Sequence, residues 1–189
     1  VLLARKEIQI NQAMNNGATP LYIACKYDHV KVVNALLARK EIQINQAMNN
    51  GATPLYVACK YDHMRVVNAL LARKEIQINQ VMNNGSTPLH VACRKGRVKV
   101  VNALLARKEI QINQAMNDGA TSLHMACEKG RVKVVNALLA RKEIQINQAM
   151  NDGATSLHMA CQEGRVKVID VLLARKEIQI NQAMNNGAT

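Results

Sequence analysis

Glycine recurs at Gly17, Gly51, Gly85, Gly119, Gly153 and Gly187, each 34 residues after the one before. A unit copied at one fixed step cannot gather around a central core. Each copy must bury its apolar side against its neighbours, and the product is a solenoid. The clearest copy runs Gly51-Ala52-Thr53-Pro54-Leu55-Tyr56-Val57-Ala58-Cys59. Thr53 is placed to accept a bond from an unpaired N–H at a helix start, and Pro54 already holds a helical φ at the first position. A glycine-containing turn therefore feeds a helix in every copy.

The pattern predicts two helices per unit. In the first copy, Leu21, Ala24 and Cys25 share one face of a helix running from Thr19 to about Tyr27. Asp28-His29 makes the corner, where Gly96, Gly130 and Gly164 stand in later copies, so a left-handed corner residue is expected. A second helix follows from Val30 to about Arg39, with Val30, Val33 and Leu37 on one face, broadened by Val32 and Leu36. Between units, Ile8 and Ile10 alternate about Gln9, and Asn16-Gly17 is a strong turn signal, so an extended hairpin-like loop is expected.

The chain divides into a partial repeat 1–10, repeats 11–44, 45–78, 79–112, 113–146 and 147–180, and a partial repeat 181–189. Residues 1–5 match the end of a second helix, and neither end shows a polar capping unit. Such an array exposes its stacking surface at each end, so a piece of a longer array or end-to-end self-association is expected. The near-identity of the copies is what recent duplication or consensus design produces.

Five cysteines, Cys25, Cys59, Cys93, Cys127 and Cys161, occupy one phase of the repeat. Stacked equivalent helices lie roughly 8–10 Å apart, beyond the ~7 Å that a disulfide spans between Cα atoms. They read as small buried apolar groups in a reducing compartment, with the cytoplasm as the expected location. No apolar run reaches the roughly 18 residues a bilayer requires, and no basic-then-apolar leader opens the chain, so no membrane segment is expected.

The stretch Thr87-Pro88-Leu89-His90-Val91-Ala92 matches the T-P-L-H-x-A signature of ankyrin repeats, and the following Val100-Val101-Asn102-Ala103-Leu104-Leu105 resembles that family's second helix. The resemblance covers essentially the whole chain. It implies an all-α solenoid of stacked helix-turn-helix units with hairpin loops, binding a protein partner through a concave groove without catalysis. It also implies that His90, His124 and His158 bond a neighbouring repeat's turn. The chain departs from the pattern at Arg39-Lys40-Glu41-Ile42, where the family usually has Gly-Ala; this predicts a slightly longer second helix. It departs again at Met14, Met48, Met82, Met116, Met150 and Met184, where an Asp is common. Looser turns or an apolar strip are expected there.

Where the copies differ, the differences collect at one phase. After the invariant Ala-Cys come Lys26-Tyr27, Lys60-Tyr61, Arg94-Lys95, Glu128-Lys129 and Gln162-Glu163. The resemblance puts these on the groove, with the turn residues Asn15, Asn16, Asn49, Asn50, Asn83, Asn84, Asn117, Asp118, Asn151 and Asp152. Together they form the expected partner-binding set. Tyr27 and Tyr61 at the basic end are its expected anchors, while the other end is more acidic, so a partner of opposite charge polarity is expected.

Catalysis finds no support. His90/Cys93, His124/Cys127 and His158/Cys161 offer two metal ligands each, short of a tetrahedral site, so neither metal nor cofactor is expected. Phosphate loops and dinucleotide fingerprints are missing. The formal net charge is +12, from 25 Lys and Arg against 13 acids, which raises nucleic acid as a partner. Arg39-Lys40, Arg73-Lys74, Arg107-Lys108 and Arg141-Lys142 could track a phosphate backbone. Each pair, however, is followed by Glu41, Glu75, Glu109 or Glu143, and neither Phe nor Trp is present to stack bases.

Overall fold

The computed structural model describes residues 9–185 and Gly187. The expected second-helix end at residues 1–5, the alternation beginning at Ile8 and the last residues of the 181–189 unit fall wholly or partly outside it. Five helix pairs follow one another: α1 (Pro20–Lys26) and α2 (Val30–Leu37), α3 (Pro54–Tyr61) and α4 (Met64–Leu71), α5 (Pro88–Lys95) and α6 (Val98–Leu105), α7 (Ser122–Glu128) and α8 (Val132–Leu139), α9 (Ser156–Gln162) and α10 (Val166–Leu173). First helices stack on first helices, and second on second, with each pair packed against itself. The fold is an all-α repeat solenoid of two helical layers.

Helices of seven or eight residues are too short to persist alone. Their starts are reinforced as the sequence implies: Thr19 and Thr53 accept the Tyr22 and Tyr56 N–H groups at 3.1 Å, one residue before Pro20 and Pro54. Their persistence comes from burial. Leu21, Leu55, Leu89 and Leu123 line one layer, and Val33, Val67, Val101 and Val135 the other, all essentially inaccessible. Each large apolar side chain so buried contributes about 1.5–3 kcal/mol, against roughly 1–2 kcal/mol per ordered backbone residue. A lone unit cannot close that balance, and stacking can.

The corner is as expected. Asp28 and Asp62 sit at φ 55° and 67°, the same left-handed region that Gly96, Gly130 and Gly164 occupy. The second helix is not lengthened. It stops at Leu37, where the Arg39 N–H tightens back onto the Leu36 carbonyl at 3.1 Å. The loop that follows consists of short turns, the Gln46 N–H reaching the Gln43 carbonyl at 3.2 Å, with one isolated bridge between Ala149 and Thr155 as its pairing among the described residues. Ile76 and Ile78 are still both buried about an exposed Gln77, so the alternation correctly reports burial while the backbone turns.

All five thiols are free, and four are buried. Cys161 departs from the expectation and is exposed, because it lies on α9, the last first helix, where no following first helix covers it. Among the described residues no helix is long and apolar enough to cross a membrane.

Candidate partner-binding face

The varying pairs emerge side by side at the C-terminal ends of the stacked first helices. Tyr27 and Tyr61 are 57% and 43% exposed, which is unusual for rings of that size. Each is held in a small stack. The Tyr27 ring lies 6.2 Å from His29, with the Lys26 ammonium 5.2 Å from its centroid. Tyr61 repeats this with His63 at 5.9 Å and Lys60 at 5.4 Å. Face contact with a cation favours both groups where they are, so two rings are pre-oriented one repeat apart. Tyr22 sits deeper in the same region. Burial pushes its hydroxyl above the ordinary tyrosine value, and nearby Tyr61 and Tyr56 push it further. All four tyrosines of the chain therefore belong to one end.

Arg94 and Lys95 stand exposed in the third position of the row. Beyond them the charges turn inward on one another: Glu128 pairs with Lys129, and Glu163 with Arg165 at 3.3 Å.

The hairpin-tip residues have a structural task that the sequence did not announce. Asn49, Asn83, Asn117 and Asn151 each donate from Nδ2 to the carbonyl of the equivalent residue one repeat earlier, at 2.9–3.1 Å. Their backbone N–H groups reach Asn16, Asn50, Asn84 and Asp118 carbonyls at 3.0–3.1 Å. The second tip residue closes its own turn: Oδ1 of Asn16, Asn50, Asn84, Asp118 and Asp152 accepts the N–H two residues on, at 2.9–3.1 Å. The tips are thus laced into a continuous ladder. The second carboxylate oxygens of Asp118 and Asp152 lie outside these turn bonds.

The methionine turns are not loose. Met48 N–H donates to the Ala52 carbonyl at 3.0 Å, and the Gly51 N–H returns to Met48 at 2.8 Å. Met48 and Met82 pack partly against the core, so the backbone supplies what an Asp side chain would otherwise provide.

Two of the three later histidines join repeats; His158 departs from the expectation, bonding only Thr155 of its own repeat while its Nε2 has no partner among the described residues. His90 Nδ1 lies 2.7 Å from the Thr87 hydroxyl, completing a reciprocal helix cap, and Nε2 meets the Ala120 carbonyl at 3.2 Å. His124 does the same with Thr121 and Ala154. Burial drives the His90 value down to about 4 and lowers that of His124, so both are neutral connectors. Burial also pushes the Cys25 and Cys127 thiols up to about 12, which makes them poor nucleophiles. Among the described residues no three His, Cys, Asp or Glu side chains converge as a metal site would require.

The arginine-lysine ladder is half spent. Arg39, Arg73, Arg107 and Arg141 each pair with the Glu two residues on, at 2.5–3.0 Å. The carboxylates' own backbone N–H groups and then the guanidinium hold Glu41, Glu75, Glu109 and Glu143 below the usual range.

Two further sets of connectors went unread in the sequence. Asn11, Asn45, Asn79, Asn113 and Asn147 each grip the loop 30–32 residues on twice, as Asn11 does by donating to the Glu41 carbonyl at 2.7 Å and accepting from Gln43 N–H at 2.9 Å. The corner residue reaches back as well: His63 Nδ1 to the Cys25 carbonyl at 2.9 Å, Arg131 to Arg94 at 3.2 Å and Arg165 to Glu128 at 3.0 Å. Invariance of Ile-Asn-Gln in every copy was the available signal for the first set.

Comparison with known families agrees with this geometry. A model described as ankyrin repeats in three copies matches residues 40–116 and 109–184, and a model described as an ankyrin repeat matches residues 16–49. No curated protein matches the chain.

Proposed function

We propose that this chain, which belongs to the ankyrin-repeat family, is a non-catalytic scaffold that receives a protein partner along the exposed ends of its first helices. Ankyrin repeats are generally protein–protein interaction modules, and the family is typically non-catalytic. The observation that carries the reading is the duplicated stack of Lys26, Tyr27 and His29 with Lys60, Tyr61 and His63. Exposed rings that are already oriented lose little freedom on contact, and tyrosine is enriched where interfaces concentrate their energy. The tip residues Asn15, Asn16, Asn49, Asn50, Asn83, Asn84, Asn117, Asp118, Asn151 and Asp152 form the rim of the same face. The four buried thiols fit a reducing compartment such as the cytoplasm.

The test is capture from a lysate with the parent chain and with a variant carrying Ala at Lys26, Tyr27, Lys60, Tyr61, Arg94 and Lys95, at low and high salt. One protein retained by the parent at both salts and lost by the variant is the expected result. Retention by both chains overturns the site. Nucleic acid that washes off both as salt rises replaces the reading with binding through the lysines of the Arg-Lys ladder.

A second reading, self-association end to end, draws on α10 and the loop after it. Leu173 and Ile180 are 50% and 57% exposed, while Leu139 and Ile146 one repeat earlier are 4% each. The surface that receives a following repeat is open there. Mass that rises with concentration in sedimentation supports this reading, and a monomer across the range removes it.

A further inference from the structure

We propose that the segment received by this face is extended and acidic, with a carboxylate at every third residue, and that it docks on the first three repeats rather than along the whole row. This rests on the reading above and narrows it to one chemistry.

The charge along the row is lopsided in a way the sequence conceals. By composition the two ends oppose each other, Lys26, Lys60, Arg94 and Lys95 against Glu128, Glu163, Asp118 and Asp152. In the structure the two glutamates of the acidic end are paired. Glu128 is taken by Lys129 and Glu163 by Arg165, while Asp118 and Asp152 each commit one oxygen to a turn N–H. Lys26, Lys60, Arg94 and Lys95 enter no ion pair among the described residues. The lysines rest on tyrosine faces, which orients the ammonium groups while leaving donors for an acceptor arriving from solvent. The unpaired cations thus lie on the first three repeats, while Asp118 and Asp152, hydrogen-bonded but still charged, repel an acidic segment from the later ones.

Spacing sets the partner's pattern. Adjacent packed helices lie about 8–10 Å apart, so Lys26, Lys60 and Arg94 form a line of cations at that step. A polyproline-II segment repeats its side-chain direction every three residues and advances ~3.1 Å per residue, hence about 9 Å per turn. Carboxylates at i, i+3 and i+6 on one edge therefore meet the three cations in turn. The exposed Tyr27 and Tyr61 rings offer flat surface to the residues between.

A second set of cations supplies the control. Lys31, Lys99 and Lys133 stand exposed on the second helices, and the cation–ring contacts among the described residues involve Lys26 and Lys60 instead. A chain carrying Lys26→Gln, Lys60→Gln and Arg94→Gln loses the same charge as one carrying Lys31→Gln, Lys99→Gln and Lys133→Gln.

The experiment measures fluorescence anisotropy of labelled peptides of roughly 12 residues, a useful length for four polyproline-II turns. One has Glu at every third position among Pro and Ala, and the other has the same composition with its Glu residues clustered. The spaced peptide should bind the parent, weaken about tenfold with the first variant and less than about twofold with the second, as three lost contacts of exposed ion-pair strength imply. It should also bind more tightly than the clustered peptide. Equal weakening by both variants, a larger loss from the second, or equal binding of the two peptides overturns the proposal. Neutral and basic peptides, with Tyr27→Ala plus Tyr61→Ala as a further variant, separate the two levels. A neutral peptide that depends on the tyrosines, with no acidic binding, sinks the acidic assignment and keeps the face. Failure of every peptide sinks both.

Discussion

The first two repeats and the last three share one backbone and differ at a few phases. At the third residue of the first helix the early copies carry Tyr22 and Tyr56, the later ones His90, His124 and His158. At the left-handed corner they carry Asp28 and Asp62 against Gly96, Gly130 and Gly164. At the first helical position Pro20, Pro54 and Pro88 give way to Ser122 and Ser156. The early repeats keep aromatic rings and free cations at their surface and accept backbone strain. Two of the later repeats use the third residue of the first helix to join the next repeat through buried His90 and His124. The exposed aromatic rings thus gather at one end of the solenoid and the buried histidine links toward the other, with the third repeat carrying both unpaired cations and His90.

The first prediction probes what the two halves share. A Cβ on Gly51 would lie 2.6 Å from the Met82 Cα, and one on Gly119 would lie 2.6 Å from the Asn151 N, both at φ near 85°. Gly51→Ala and Gly119→Ala should each cost about 3 kcal/mol or more, since the strain adds to a clash with neighbouring backbone. Urea midpoints should fall alike; a large difference would mean that the shared ladder is not equally tight at both ends.

Acid should separate the halves. A buried histidine with a depressed folded value binds fewer protons than the unfolded chain. Its contribution is therefore complete above the ordinary value of 6.5 and is lost as pH falls toward about 4, the folded value of His90. At 1.36 kcal/mol per unit, His90 alone accounts for roughly 3 kcal/mol of acid destabilisation. Hydrogen exchange at pH 7 and pH 4.5 should show α5 and α7 opening in acid ahead of α1. His90→Tyr, which imports the early repeats' residue, should flatten the dependence; an unchanged pH profile would contradict the assignment.

Two smaller exchanges sharpen the contrast. Asp62→Gly should stabilise by about 1 kcal/mol by removing left-handed strain, the weak 3.9 Å pair with Arg97 offering little in return. Gly130→Asp should do the opposite in thermal melts. Ser122→Pro should gain about 0.5–1 kcal/mol, because it stiffens the unfolded chain at a first helical position where Pro20, Pro54 and Pro88 already fit. A loss there would show that the early repeats' prolines do not transfer.

Much of the fold was legible because the period repeats its evidence five times. Thr-Pro starts, apolar faces and the corner glycines each gave a position that the helices then occupied. The second-helix end was misjudged: Arg39 resembles a helix continuation locally, yet its guanidinium folds onto Glu41, and Asn11 at the start of the repeat pins Gln43. The candidate face was legible as a set of varying letters. The local pairing of its acids was not read, although Lys129 adjoins Glu128 and Arg165 follows Glu163 by two residues.

The sequence by itself determined the period, the helix pairs, the left-handed corner and the layer that each leucine and valine must fill, since these follow from local backbone preference and from burial that recurs every 34 residues. Tertiary structure alone decided which polar groups are spent on cohesion and which remain for a partner. A hydrogen bond between repeats depends on where a neighbour 30 to 38 residues away comes to rest, as for His90 with Ala120 or His63 with Cys25, and no single repeat carries that information.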